Sequence, residues 1–146
     1  MIRQATISDV EAIHALNTKV LGYDIDKKVT EQQLATLLER RDHFILVAET
    51  NSGSILGYAH AAAYDCLYFP PLLNLLALAV GADFQGQGYG AALMQALREV
   101  ADPAGYTGLR INSGIARTEA HAFYRAIGCQ EKADQKRFFW NWEESE

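Results

Sequence analysis

The stretch 72–90 constrains the fold most, because it joins an unbroken apolar run to a glycine-rich turn. From Leu72 to Val80 the only polar side chain is Asn74, so both faces of the predicted strand should be covered, and we expect it at the centre of a sheet. Residues 85–90 then form a predicted turn into an amphipathic helix that ends near Ala101. The free N–H groups and the dipole at such a helix start favour an anion, so the sequence predicts a phosphate site here.

The spacing of the glycines in this turn excludes two common nucleotide motifs. They fall at Gly86, Gly88 and Gly90, whereas a dinucleotide-binding turn requires G-x-G-x-x-G. A P-loop requires a lysine directly after its last glycine, and the chain has no lysine between Lys28 and Lys132. The predicted anion site therefore belongs to another class.

Two segments resemble the motifs of the GNAT acetyltransferases. The first resembles the Gln/Arg-x-x-Gly-x-Gly/Ala loop with which that family holds the pyrophosphate of acetyl-CoA, and Gln85, Gly88 and Gly90 match it. The second, at residues 119–129, resembles the motif Ala-x-x-Phe-Tyr-x-x-x-Gly-Phe. Its matching residues are Ala120, Phe123, Tyr124 and Gly128, while Cys129 stands where the family usually has Phe and Arg117 where it often has Asn.

The predicted elements also follow the order of the GNAT fold, β-α-α-β-β-β-α-β-α-β. Strands are expected at residues 2–6, 44–49, 55–62, 72–80, 109–113 and 138–142, and helices at 8–20, 30–40, from the glycine-rich turn to about 101, and at 118–127. The resemblance implies one α/β domain over residues 1–146, with a mixed sheet of about six to seven strands flanked by four helices.

Composition excludes several other classes of protein. The chain has 146 residues and a formal charge of −5, which argues against a nucleic-acid binder that depends on clustered Lys and Arg. No apolar run reaches the roughly 18 residues that a membrane span requires. Two distant cysteines, Cys66 and Cys129, and a start at Met1 without a leader pattern predict reduced thiols and a cytoplasmic location. The histidines and cysteines lack metal-ligand spacing, so no metal is expected.

The resemblance implies acetyl-CoA as a cosubstrate that is bound mainly by backbone groups. N–H groups of the turn would bind the pyrophosphate, and the edge of the preceding strand would pair with the pantetheine arm as an added strand does. The N–H of Leu78 would polarise the thioester carbonyl. Arg117 would either reach the cofactor or pair with Glu119 on the surface. The implied cofactor residues are Leu78, Ala79, Val80, Gln85, Gly86, Gln87, Gly88, Tyr89, Gly90 and Arg117.

Tyr124 is implied as the general acid that protonates the leaving CoA thiolate, since a phenol stays protonated at neutral pH. The alternative is a buried aromatic side chain that packs beside Phe123. The general base is open, because the strand 72–80 holds no Asp, Glu or His. His60, Asp65 and Glu119 are the candidates, and for His60 a hydrogen-bonded sheet histidine is the simpler interpretation.

Two loops, at residues 22–29 and 64–71, are predicted to select the acceptor. They carry Asp24 and Asp65 among several aromatic residues, a set that suits a cationic amine. Alternatively, these charged and aromatic side chains are solvent-exposed loop residues with no role in binding. Asn74 is either a substrate contact or an amide satisfied by a neighbouring strand.

The sequence thus predicts an N-acetyltransferase that moves an acetyl group from acetyl-CoA to a primary amine of a small cationic molecule by direct attack. Acetylation of a protein lysine or N-terminus is an alternative, and so is an acyl-CoA-binding module without turnover. No nucleic-acid or membrane partner is expected. The aromatic cluster at residues 138–142 is expected in the core or in a homodimer contact.

Overall fold

The computed structural model describes residues 1–143, which form two compact units, residues 1–112 and the residues from Ser113 onward. A five-stranded mixed sheet and four helices confirm the predicted fold class, with fewer strands than expected. The strands are β1 (Ile2–Gln4), β2 (His43–Glu49), β3 (Ile55–Tyr64), β4 (Leu72–Val80) and β5 (Leu109–Arg110). The helices are α1 (Val10–Lys19), α2 (Lys27–Leu38), α3 (Tyr89–Ala101) and, in the second unit, α4 (Thr118–Ala126).

The sheet in the first unit has the strand order β1-β2-β3-β4-β5. Neighbouring strands are antiparallel except β4 and β5, which are parallel. The bounds predicted for Leu72–Val80 are confirmed, but its predicted central place is wrong, because β3 occupies the centre. Only Leu73 and Ala79 of β4 are fully buried, since β5 pairs with β4 at just two residues and leaves the rest of that edge open.

Helices cover both faces of the sheet in the first unit. On one face, Ile13 and Leu34 from α1 and α2 pack against Ile45 and Val47 of β2. The intervening Leu46 of β2 is also buried, and side chains alternate between faces along a strand. Helix α3, which contacts β2, β3 and β4, therefore covers the opposite face with its buried residues Leu93, Met94 and Leu97.

The start of α2 differs from the prediction, and its physical cause is a different cap. The sequence predicts this helix over residues 30–40, with Thr30 as its first residue, but the helix begins at Lys27 and Asp26 precedes it in an extended conformation. A carboxylate oxygen of Asp26 accepts a hydrogen bond from Lys28 N at 2.9 Å. Aspartate is as good a cap as threonine, so the earlier residue starts the helix.

The predicted last strand, residues 138–142, is wrong. The described residues contain no strand after β5, and β5 itself covers two of the five residues expected at 109–113. Phe138, Phe139, Trp140 and Trp142 are 80–90% exposed, so the core placement of this aromatic cluster is also wrong. The homodimer contact stays a prediction.

Candidate functional site

The turn at residues 85–90, the glycine turn, has its backbone conformation set by two left-handed glycines. Gly86 has a φ of +77°, and Gly88, which directly precedes α3, has a φ of +90°. A Cβ atom at either position would meet nothing within 4 Å, so the backbone conformation rather than crowding requires glycine. Ala92 N donates to Gly88 O at 3.0 Å and so begins the hydrogen bonding of the helix.

The backbone N–H groups of the glycine turn are available to a ligand. Within residues 1–143, none of the N–H groups of residues 85–90 donates a hydrogen bond. The side chains brace the turn instead: Gln85 Nε2 donates to Val80 O at 2.9 Å, and Gln87 Nε2 donates to Asp83 O at 3.2 Å. Unpaired amides at a helix N-terminus, where the dipole is positive, can bind an anion.

Strand β4 has one edge that is largely unpaired. Its parallel pairing with β5 covers only Leu73 and Asn74. The pairing with β3 continues to the end of the strand, where Gly81 N donates to Leu56 O at 2.7 Å. The two edges of β4 therefore differ over residues 75–80.

The alternation of antiparallel hydrogen bonds shows which backbone groups lie on the open edge. Since Gly81 is hydrogen-bonded to β3, Ala79 and Ala77 are bonded to β3 as well, and the two residues that alternate with them are not. The N–H and C=O groups of Leu78 and Val80 consequently face the open side, which we call the β4 edge. An extended, amide-rich ligand can add there as a strand does, and the edge leads directly into the glycine turn.

A β-bulge interrupts β4 just before this edge. His60 pairs with Ala77 while the next residue, Ala61, pairs with Leu75, so Leu76 is the extra residue, and it is 50% exposed. A bulge bends its strand and re-aims the side chains around it. The bulge therefore interrupts the regular pairing of β4 with β3 at Leu76, and the pairing continues on both sides of it.

A cavity of about 300 Å³ lies between the first two helices and the sheet, and we call it the α1–α2 cavity. Its walls come from both helices, from the loop that joins them and from three strands. The lining residues are Ile13, Asn17, Leu21, Tyr23, Ile25, Val29, Thr30, Gln33, Leu34, Leu37, Ile45, Tyr58, His60, Leu76 and Ala77. None of them is Asp, Glu, Lys or Arg, so the cavity has an uncharged wall.

The two most deeply placed polar side chains of this wall are already hydrogen-bonded. The Tyr58 hydroxyl donates to Asn17 Oδ1, and burial raises the pKa of Tyr58 to about 12, so it is a neutral phenol. His60 Nε2 lies 2.9 Å from His43 Nδ1, and burial together with His43 lowers the pKa of His60 from 6.5 to about 4. His60 is therefore a neutral imidazole at neutral pH, with one nitrogen engaged by His43.

Three polar contacts connect the loop that covers the cavity, and the start of α2 after it, to helix α1. His14 Nε2 lies 2.7 Å from Ile25 O, and Tyr23 N donates to Asn17 O at 2.9 Å. Lys27 Nζ lies 3.1 Å from a carboxylate oxygen of Glu11. These contacts hold Tyr23 and Ile25 in the cavity wall.

The predicted substrate residues lie outside this cavity. Asp24 is exposed between Tyr23 and Ile25, which do line the cavity, and Asp65 is exposed just after β3. Asn74 Oδ1 accepts a hydrogen bond from Arg110 Nη1 at 3.4 Å. The structure thus does not bring the two aspartates into the cavity, and it gives Asn74 a partner on a neighbouring strand.

The second unit carries Tyr124 and Arg117 on and before α4. Tyr124 is half-buried and packs edge-to-face on Phe123, with ring centroids 5.4 Å apart. Burial raises the pKa of Tyr124, with Arg117 acting in the opposite direction and Cys129 in the same direction. Tyr124 can therefore serve as a proton donor at neutral pH. Within residues 1–143, Arg117 is exposed and makes no ion pair with Glu119.

Membrane-spanning helices and metal sites are absent from the described residues. Residues 1–143 contain neither a helix long and apolar enough to cross a membrane nor a group of three or more His, Cys, Asp or Glu that could hold a metal ion. Cys66 and Cys129 are free thiols. The glycine turn, the β4 edge and the α1–α2 cavity are thus the features with functional geometry.

Comparison with protein families gives a match over most of the chain. The model of the acetyltransferase (GNAT) family matches residues 10–129, a range that includes the glycine turn and the second motif. No curated protein sequence matches the chain significantly.

Comparison with solved structures finds the same fold at low sequence identity. Aminoglycoside 6'-N-acetyltransferase AAC(6')-Ih from Acinetobacter baumannii has a TM-score of 0.85 at 19% identity, with 97% of each chain covered. AAC(6')-Iy in complex with a CoA-containing bisubstrate analogue has a TM-score of 0.86 at 17% identity, with 97% of each chain covered. A transcriptional regulator from Bacillus halodurans has a TM-score of 0.84 at 20% identity, covering 96% of this chain and 99% of that one. These likenesses show the fold, which occurs in proteins of different described roles.

Proposed function

The chain belongs to the GNAT acetyltransferase family, and we propose that it transfers the acetyl group of acetyl-CoA to a primary amine of a small cationic molecule by direct attack. The observation that carries the proposal is the continuity of the β4 edge with the glycine turn. The β4 edge suits the amide-bearing pantetheine arm, and the glycine turn that follows it directly in the chain suits the pyrophosphate. The similar structures that act on aminoglycosides support a small amine as acceptor.

Binding of acetyl-CoA is assigned mainly to backbone groups. The N–H groups of residues 85–90 donate to the pyrophosphate, and the C=O of Leu78 and the N–H of Val80 pair with the amides of the pantetheine arm. Ala79 contributes by holding the strand to β3. Arg117, exposed at the start of α4, supplies a cation for a phosphate.

The transfer step is a direct displacement at the thioester. The amine nitrogen attacks the carbonyl carbon, a C–N bond forms, and the C–S bond breaks with its electron pair going to sulfur. The N–H of Leu78 donates to the carbonyl oxygen as negative charge develops on it. Tyr124 gives its phenolic proton to the departing thiolate, and the second proton that the nitrogen loses after its attack restores the phenol. Burial raises the pKa of Tyr124, so the phenol is protonated at neutral pH and is available as a donor, although the same shift makes it a weaker acid.

His60 is the group to which we assign the proton of the attacking ammonium. Of the three candidates in the sequence, His60 is the one that lines the α1–α2 cavity. Its neutral imidazole can accept a proton on one nitrogen while the other passes a proton to His43, which does not line the cavity. Such a relay never requires a lasting charge on His60, which agrees with its low pKa.

The acidic and amide side chains of the two loops are assigned a weaker role. Asp24 and Asp65 are exposed carboxylates that attract a cation on its approach rather than holding it in the cavity. Asn74 Oδ1 has a second lone pair beyond the one that accepts from Arg110, and it can accept from a substrate ammonium.

The size of the cavity favours a small molecule over a protein acceptor. At about 300 Å³ it lies at the low end of the range for small-molecule pockets, roughly 300–1,000 Å³. A protein acetyltransferase would instead require an open groove for the residues that flank the target lysine or N-terminus.

The experiment measures thiol release from acetyl-CoA across free amines and peptides, with calorimetry of CoA binding on the same sample. We expect CoA binding and turnover with free amines. Turnover with peptides alone would identify a protein acetyltransferase. CoA binding without turnover would favour an acyl-CoA-binding module, and the absence of CoA binding would contradict the assignment of the glycine turn.

A further inference from the structure

We propose that the acceptor is a monoamine carried by an apolar body, such as an alkylamine or an arylalkylamine, and that this body fills the α1–α2 cavity. The proposal rests on the proposed function and names the substrate class of the same site. It differs from a polycationic acceptor in one testable respect: only the reacting amino group would carry charge.

The wall of the cavity is mainly apolar. Aliphatic side chains reach it from both helices and from strands β2 and β4, among them Ile13, Leu34, Leu37, Ile45 and Leu76. Moving an ammonium from water to such a wall without a counterion is strongly unfavourable, whereas moving methylene groups there is favourable. The wall therefore selects for apolar surface on the ligand.

The deep polar groups of the cavity are already hydrogen-bonded to other side chains. The Tyr58 hydroxyl donates to Asn17, and His60 is engaged by His43. A second ammonium beside Tyr58 or His60 would have to break one of these pairs or remain without an acceptor there. Elsewhere in the wall it would find only neutral acceptors, such as the side chains of Thr30 and Gln33, and no counterion.

The carboxylate of Asp24, in the loop that covers the cavity, does not reach the cavity wall. Tyr23 and Ile25 line the cavity, while Asp24 between them does not. The contacts of His14 with Ile25 O and of Tyr23 N with Asn17 O hold the loop in this arrangement. A distal ammonium inside the cavity would therefore lack a carboxylate partner.

The orientation of the acceptor follows from the strand that the cavity shares with the β4 edge. Leu76 and Ala77 line the cavity, and Leu78, the next residue, has its backbone on the β4 edge. His60 pairs with Ala77 in the sheet register. The amino group consequently lies at the β4 end of the cavity, and the apolar body extends toward α1 and α2.

A matched pair of acceptors tests this inference directly. Hexylamine and hexamethylenediamine have the same carbon chain and differ by one terminal amino group. We expect kcat/KM for hexylamine to exceed that for the diamine by at least about tenfold, although the diamine offers two reactive ends.

Two isosteric variants on α2 sharpen the test. Gln33 lines the cavity, whereas Gln32 next to it does not, and both are exposed. Gln33→Glu adds a carboxylate to the wall without changing its shape, so it should raise kcat/KM for the diamine relative to hexylamine by about tenfold. Gln32→Glu should leave the ratio at the wild-type value.

The outcomes separate this inference from the proposed function. Turnover of both amines with the diamine equal or preferred would overturn the apolar acceptor while leaving the acetyltransferase intact. A ratio that Gln33→Glu and Gln32→Glu change equally would overturn the location of the body in the α1–α2 cavity. The absence of transfer to any amine would contradict the proposed function itself, and the substrate class would fall with it.

Discussion

The glycine turn and the α1–α2 cavity present different parts of the amino acid to a ligand. The turn presents backbone N–H groups from one short segment, positioned by Gly86 and Gly88 and braced by two glutamines. The cavity presents side chains from six elements that lie between residues 13 and 77 of the chain. One site is therefore suited to an anion and the other to an apolar body, and they meet only at β4.

This difference teaches where specificity can change. A backbone site depends on conformation, so most side chains around it can vary while the anion is still bound. The specificity of a cavity that is lined by side chains changes when one wall residue changes its volume or charge. We therefore expect variants of the glycine turn to change cofactor affinity, and variants of the cavity to change the choice of acceptor.

The largest expected effect comes from a residue outside both regions. Tyr124→Phe removes the proposed acid, and we expect kcat to fall by about 10²- to 10⁴-fold while CoA affinity and the KM of the amine stay unchanged. Steady-state kinetics with calorimetry of CoA binding checks this. Tyr106→Phe, which removes a phenol with no proposed role, should behave as wild type. Loss of CoA affinity in Tyr124→Phe would make Tyr124 a packing residue.

The proposed base gives the next largest effect and a pH signature. His60→Gln should lower kcat by about 10²-fold, whereas His121→Gln should not. Because the pKa of His60 is lowered from 6.5 to about 4, the unfolded chain binds the proton more tightly than the folded one. The wild type should thus lose about 3 kcal/mol of unfolding free energy as pH falls from 6.5 to 4, a loss that His60→Gln should lack. Equal losses in both proteins, measured by denaturant unfolding, would show that His60 is not held neutral by burial.

A glycine pair tests whether the turn works through its backbone. Gly88→Val forces a β-branched residue to a φ of +90°, so the turn should distort and CoA affinity should fall by about 10- to 100-fold. Gly53→Val is the matched control, because Gly53 has the same φ of +90° and equally open surroundings in the β2–β3 hairpin. We expect similar losses of stability in the two variants and a loss of CoA affinity in Gly88→Val alone. Calorimetry and thermal unfolding of both variants would measure this, and equal CoA affinities would contradict the backbone assignment.

The exposed aspartates should give the smallest effect. Asp24→Asn combined with Asp65→Asn should raise the KM of the amine about twofold at low salt and not at high salt, since exposed charges are screened. An unchanged KM at low salt would show that these carboxylates do not attract the acceptor. An increase of tenfold or more would place a carboxylate in direct contact with the acceptor and contradict the uncharged cavity.

The sequence predicted the features that depend on local pattern. The bounds of Leu72–Val80 were right because a long apolar run predicts a strand of that length, and the end of α3 near Ala101 was right as well. Helix α3 begins at Tyr89, within the predicted turn, because Gly88 directly before it adopts a left-handed conformation that other residues avoid. The central place of this strand was wrong, because apolar composition reports burial and not the number of strand neighbours. A strand with one open edge can have the same apolar composition as a strand with a neighbour on both sides.

The α1–α2 cavity could not be predicted, because its wall is assembled by tertiary structure. The sequence assigned the loop that contains Tyr23 and Ile25 to acceptor binding, but it predicted that the charge of Asp24 would be the contact. In the structure Tyr23 and Ile25 line the cavity and Asp24 does not. Only the backbone of the loop decides which of three consecutive side chains faces the cavity. One signal was present: Tyr58 and His60 are polar residues two apart on an apolar strand, and such residues share one face of a sheet.

Amide resonances, followed as ligands are added to the labelled protein, test the separation of the two regions most directly. Addition of CoA should shift the amides of residues 86–90 and of Leu78 and Val80. Addition of hexylamine to the CoA-saturated protein should then shift Tyr23, Leu37 and Ile45. CoA that binds by calorimetry while the amides of the glycine turn stay unshifted would contradict the assignment of the turn as the cofactor site.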